Sequence, residues 1–358
     1  MLHRSNLLKL AIWLLFLVAC NSGSTLDVKE LHHPRGLAVT ADLTLLVADA
    51  GNGRILAVTA GETPYTVADG LPVTWDGGPG ADMIVGVSGL ALDGSDIIYV
   101  VGEFRGDRFR RVYRLSPDGT SVPLTNAREE LLQDGLVNPY DLVVLDGDVF
   151  VSDAGANAVF RVQSNGEVKP YARVAEILVP GAVGTQTADA VPTGLAAGPD
   201  GALYLATLAG APYAVGTAAI YRIDDVNDDG DALDDGEISV VLDGLTAVTD
   251  LTFTNSGWLI VAEFSRDMAS LYEDLTPERA AELPGRVTAW CGLGQSSTSV
   301  STALVADHVS SPTSVVSIGE VIVVAEELAG RITQLQPKHR PWAEPCRSKA
   351  RLRTHEVP

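Results

Sequence analysis

Cysteine is scarce: three in 358 residues, Cys20, Cys291 and Cys346. That is too few for a disulfide scaffold, and the spacing is not that of a zinc site. Basic residues are in deficit as well, 25 Lys and Arg against 46 Asp and Glu, for a formal net charge of −21. The deficit excludes nucleic acid and argues against an anionic membrane surface as partner, because both demand a basic face. No G-x-S-x-G elbow occurs, and the glycine-rich turns "AAGPDG" and "GGPG" precede no helix, so neither is a phosphate loop. Sustained stripes of period 3.6 are missing, which excludes a helical solenoid. Hydrophobic residues are not in short supply. They make up 46% of the chain against 20% charged, enough to bury a large core.

The first twenty residues, "MLHRSNLLKLAIWLLFLVAC", place Arg4 and Lys9 ahead of an apolar core from Leu10 to Val18. That core is too short for a membrane span and ends in small residues, as a secretory signal does. Leu17-Val18-Ala19-Cys20 resembles a bacterial lipobox. Residues 1–19 therefore read as a lipoprotein signal peptide, with Cys20 the lipidated mature N-terminus and 20–30 a short tether or closing strand. The expected location is extracytoplasmic, anchored to the membrane by lipid and facing the periplasm or cell surface. There Cys291 and Cys346, the thiols left over, are expected to pair, since export places them where disulfides persist.

The remaining chain repeats itself. "PRGLAV" (34–39), "VSGLAL" (87–92), "NPYDLV" (138–143), "VPTGLA" (191–196), "VTDLTF" (248–253) and "SPTSVV" (311–316) share one cadence. Their aligned glycine position falls at Gly36, Gly89, Asp141, Gly194, Asp250 and Ser314, in steps of 53, 52, 53, 56 and 64 residues. A turn and a β-rich run follow each copy, for example "LTLLVAD" (43–49) and "EVIVVAE" (320–326), and in most copies a third run such as "AVFRV" (158–162). Short strands bounded by Gly, Pro and Asp at this period are the blades of a propeller, whose radial repetition removes exposed sheet edges. Six copies predict an all-β, six-bladed β-propeller of four-stranded blades over 31–337. "STLDVKEL" (24–31) is expected to supply the outer strand of the last blade, and 338–358 to form a surplus basic tail.

At 137–162 and 191–223 the chain resembles the ScyD/ScyE family of exported bacterial proteins with NHL-like propeller repeats. The resemblance implies a six-bladed propeller and brings no catalytic residues with it. In the fourth copy, where the family tends to have an acid after the second strand, this chain has Thr207.

Several acidic positions are candidates for chemistry. In a blade the start of the innermost strand meets the end of the second, so Asp141 and Asp250 are expected near the axis, with Asp49, Glu103, Asp153, Glu263 and Glu326 further out on the same face. Seven carboxylates at one mouth suit a hard cation such as calcium, as in related six-bladed lactonases, or serve as acceptors for turn amides in their own blades. "DDVNDDGDALDDGE" (224–237) is a second calcium candidate. Asp225, Asn227, Asp229 and Asp231 alternate around Gly230 as in a calcium loop, and Glu237 falls one residue beyond the usual spacing. The histidines 32, 33, 308, 339 and 355 have no serine or cysteine partner in view and read as surface or turn residues. Thr276-Pro277 opens one short helix in the long excursion at 264–288. A monomeric binding module for a small molecule or protein, not an enzyme, is the first functional expectation. A calcium-dependent lactonase-like hydrolase and a quinone- or sugar-linked oxidoreductase are the alternatives.

Overall fold

The computed structural model describes residues 28, 31–78, 81–102, 108–126, 135–181, 183–293, 300–337 and 339–346. It is a six-bladed propeller of antiparallel sheets. Blades 1 to 6 open with Pro34–Val39, Val87–Asp93, Pro139–Leu145, Pro192–Ala197, Val248–Phe253 and Pro312–Ile318 as their innermost strands. Blades 1 to 5 have four strands in sequence order from the axis outward, and the last has three, Pro312–Ile318, Val321–Glu326 and Arg331–Leu335.

The registers explain the cadence. In blade 3, Pro139 pairs with Asp153 and Asp141 with Ser152, so the start of the inner strand does meet the end of the second. The glycine position lies against the neighbouring blade. A Cβ on Gly89 would sit 2.5 Å from an Asp141 carboxylate oxygen, and one on Gly194 would sit 2.5 Å from the Asp250 Cα. Glycine is thus the residue that lets its neighbour carry a side chain into the same layer.

Apolar clusters fill the gaps between blades. Val323, Ala325 and Ile332 of the last blade pack with Leu37, Val47 and Leu56 of the first, and Val28 and Leu31 join them. The outer strand expected from 24–31 falls mostly outside the described residues. Threonine hydroxyls clasp successive inner strands: Thr193 donates to the Val248 carbonyl (2.8 Å), Thr249 to Pro312 (2.7 Å) and Thr313 to Pro34 (2.9 Å).

The C-terminal segment is docked, at its start, onto the disc. Trp342 is 2% exposed and packs among Trp258, Ile322 and Val324. Its indole N–H donates to the Glu320 carbonyl (3.0 Å), and the Trp258 indole donates to Glu344 (3.1 Å). Cys291 and Cys346 form the expected disulfide, with Cα atoms 5.6 Å apart. Two short helices, α1 (Met268–Tyr272) and α2 (Pro277–Glu282), interrupt blade 5 between its second and third strands. The Thr276 cap and Pro277 start are as expected; α1, capped by Asp267, was not foreseen. Among the described residues no helix is long and apolar enough to cross a membrane.

Candidate functional site

Asp49, Asp153, Glu263 and Glu326 are 0–1% exposed, and each is bracketed by its own blade. Asp153 accepts from the amides of Val137, Asn138, Gly155 and Ala156 at 2.7–3.0 Å. Asp49 accepts from the His32 amide (2.6 Å) and from Arg54 (2.7 Å). Glu263 takes the Thr246 amide and Arg286, and Glu326 takes the Ser310 amide and Arg331. These acids fasten the loop that enters a blade to the strand that leaves it, and none lines an axial cavity. Thr207, at the equivalent position, bonds instead to the neighbouring strand, accepting from the Ala219 amide at 3.0 Å and donating to the Ala219 carbonyl at 3.2 Å. Glu103 lies outside the described residues.

Asp141 and Asp250 do reach the axis. Each fastens its blade to the next one. Asp141 accepts from the Leu195 amide (2.9 Å), and Asp250 from the Val315 amide (2.7 Å) and the Ser314 hydroxyl (2.8 Å). Both line a cavity of about 260 Å³ that opens toward the turns at the far ends of the inner strands. Burial, and then the nearby Asp250, push the Asp141 carboxyl well above its ordinary range. Burial raises Asp250 to about 6 against the bonds from Val315, Ser314 and Leu251.

In the 225–237 loop, Asp225 and Asn227 both accept from the Asp229 amide (3.1 and 2.9 Å), while Glu237 accepts from Val226 (3.1 Å) and Asp234 (3.0 Å). The oxygens close the loop on its own backbone. Among the described residues no three His, Cys, Asp or Glu side chains converge on a point that could hold a metal. Among the described residues the calcium expected in the loop, and a metal at the axis, are thus not shown.

A different cluster assembles at the opposite end of the axis, one residue before the glycine position. There the inner strands carry Arg35, Ser88, Tyr140, Thr193, Thr249 and Thr313. The residue following the bracketing acid faces the same space: Leu208, Phe264 and Glu327. All of these except Ser88 and Thr193, together with His33, Met268, Tyr272, Leu275 and Leu328, enclose a cavity of about 140 Å³. Its walls are apolar and its floor polar.

The centre of that floor is Glu327. Its Oε1 accepts from Arg35 (Nε 2.9 Å, NH2 2.8 Å) and faces His33 Nδ1 at 3.2 Å. Burial alone would raise Glu327, but Arg35 and then His33 outweigh it and hold the carboxyl at about 2. Burial works against the charge on Arg35, and Glu327 more than compensates, lifting it above its ordinary value. Burial raises Tyr140, so its hydroxyl keeps its proton and remains a donor. A carboxylate only accepts hydrogen bonds, so the His33 nitrogen facing Glu327 carries a proton, and Nε2 is the ring nitrogen left for other partners.

Sequence reasoning missed this group. His33 is no ordinary turn residue, though its backbone is: its φ of 54° recurs ahead of other inner strands, at Val191 (56°), Ala247 (47°) and Ser311 (44°). The available signal was a doubled acid. Only in the last copy is the bracketing acid followed by another, Glu326-Glu327, where other copies have Ala50, Ala154, Leu208 or Phe264.

No family model and no curated protein sequence matches the chain. Solved structures do match it. A gluconolactonase from Xanthomonas campestris is 16% identical, with 86% of each chain covered and a TM-score of 0.54. The PQQ-bound aldose sugar dehydrogenase from Streptomyces coelicolor is 13% identical, covering 88% of this chain and 96% of that one, at a TM-score of 0.56. A virginiamycin B lyase from Staphylococcus aureus with quinupristin is 13% identical, covering 87% and 98%, at 0.51. At these identities the likeness shows the six-bladed propeller fold, and function has to be argued from the site.

Proposed function

We propose that the protein is an enzyme, a hydrolase of small esters or lactones that works at the axial cavity by acid–base chemistry. The observation that carries this reading is Glu327 holding both His33 and Arg35 at the floor of an apolar-walled pocket. His33 Nε2 takes a proton from water as the water oxygen bonds to the substrate's carbonyl carbon. The Arg35 guanidinium and the Tyr140 hydroxyl are the donors for the negative charge that develops on the carbonyl oxygen. The carbon–oxygen bond to the leaving group then breaks, and the proton returns from His33 to that oxygen. Glu327 positions the imidazole and keeps the site's charge balanced.

Fold neighbours that include a gluconolactonase, a lyase and a sugar dehydrogenase favour an enzyme over a passive binding ring. The walls favour esters over sugars, because a polyol needs donors and acceptors where this cavity has Leu208, Phe264, Met268, Leu275 and Leu328. A volume of about 140 Å³ lies below the ~300 Å³ of drug-sized pockets, so the buried part of the substrate is small. A panel of short esters and lactones, assayed with a chelator present, tests the reading. Turnover that survives chelation is expected, and absence of turnover across the panel contradicts it.

Export and lipidation at Cys20 are part of the same proposal, supported by "LVAC" behind the apolar core. Cys20→Ala is expected to move the protein from the membrane to the soluble fraction; unchanged fractionation would rule the anchor out. The resemblance to the ScyD/ScyE family rests on 137–162 and 191–223 and bears on the fold, with no activity attached.

A further inference from the structure

Beside the polar end of the cavity, the hairpin Thr74–Gly78 and Ala81–Val85, inserted between blades 1 and 2, carries Trp75. The Trp75 side chain is 50% exposed, so one side of its ring is open to solvent. It stands over two imidazoles. Ring centroids are 5.6 Å apart for His32 and Trp75, 6.3 Å for His33 and Trp75, and 4.9 Å for the two histidines. The planes meet at 51°, 84° and 70°, so the three rings form a corner and do not stack on one another.

The corner is held in place from behind. The His32 amide donates to Asp49 (2.6 Å), and its carbonyl accepts from the Gly51 amide (2.8 Å). A Cβ on Gly51 would lie 2.6 Å from the His32 ring nitrogen, so glycine is what leaves room for that ring. One wall of the corner, His33, also lines the cavity and is the base of the proposed reaction.

We propose that this corner is the leaving-group subsite and that the substrate is an aryl ester: a small apolar acyl group in the cavity and a planar aromatic alcohol against Trp75 and His32. A flat ring lies face-on to one wall and edge-on to another, the arrangements aromatic pairs prefer. An alkyl leaving group gains only area. The inference rests on the hydrolase reading, and the two can fail separately.

The test compares phenyl acetate with ethyl acetate, which share an acyl group, and measures phenol binding to the intact protein by calorimetry. Trp75→Ala is expected to lower the ratio of kcat/KM for phenyl over ethyl acetate about tenfold, the effect of one aromatic contact. Trp75→Phe is expected to restore most of that ratio. A ratio that stays within about twofold in Trp75→Ala overturns the subsite even if both esters are hydrolysed. Phenol affinity should fall in parallel in Trp75→Ala. If phenol binds in a Trp75-dependent way while no ester is turned over, the subsite stands and the hydrolase reading falls. Equal phenol affinity in parent and Trp75→Ala removes the subsite alone.

Discussion

Two sets of buried carboxylates titrate in opposite senses along the axis. Glu327 is held at about 2 in the folded chain against 4.5 unfolded, so its contribution is complete above pH 4.5 and is lost as pH falls toward 2. Asp141 and Asp250 are raised, Asp250 to about 6 from 3.8, so their contribution exists at low pH and is lost as pH rises through about 6. Thermal stability is therefore expected to peak at about pH 4, where the gain from Glu327 is nearly complete and the loss from the aspartates is only beginning, and to fall as pH rises toward 6. Asp141→Asn keeps an oxygen for the Leu195 amide and removes one charge of the pair. It is expected to raise stability at pH 8 by about 1–2 kcal/mol, of the order of one pKa unit, and to change little at pH 4. Thermal melts of parent and variant at the two pH values check this. A variant less stable at pH 8 would mean that the second charge is compensated.

At the scale of the element, the C-terminal clasp and the blade 5 helices act on opposite ends of the disc. Trp342 meets the turns that follow the inner strands, at Ser256 and Glu320, whereas Met268 and Tyr272 of α1 wall the cavity at the other end. Trp342→Ala is expected to cost about 3–5 kcal/mol, as removal of a large buried ring does. The Cys291–Cys346 bridge closes 55 residues, worth up to about 4 kcal/mol in the chain-entropy account. Ester turnover by the folded fraction should be preserved in Trp342→Ala; a matched loss of kcat would couple the clasp to the site. In the 225–237 loop the acceptors are already occupied by amides, so millimolar calcium is expected to leave the melting temperature unchanged. A rise that disappears in Asp229→Ala would reveal a site. The alternation of Asp225, Asn227, Asp229 and Asp231 was legible as a tight acidic turn. The sequence does not say whether those oxygens face an ion or the backbone, because the same alternation satisfies both.

The whole molecule is a closed ring, and closure decides what the sequence can reveal. Blade count and inner-strand positions follow from the local cadence, since each blade repeats the same turn chemistry. The bracketing acids were visible for the same reason, but not their direction: they turn into their own blades, as the saturated Asp153 does. The His33–Arg35–Glu327 group was hidden because its members are 294 and 292 residues apart in sequence, His33 and Arg35 from Glu327. They meet only because blade 6 packs against blade 1, a contact that no local pattern announces.

The most direct test of the central claim, that Glu327 and His33 form a working pair across the ring closure, is kcat/KM for phenyl acetate in parent, His33→Ala and Glu327→Gln proteins of verified fold. The account predicts losses of about 10²–10⁴-fold for His33→Ala and a comparable, non-additive loss when both changes are combined. Parent-like turnover in folded His33→Ala protein would contradict it.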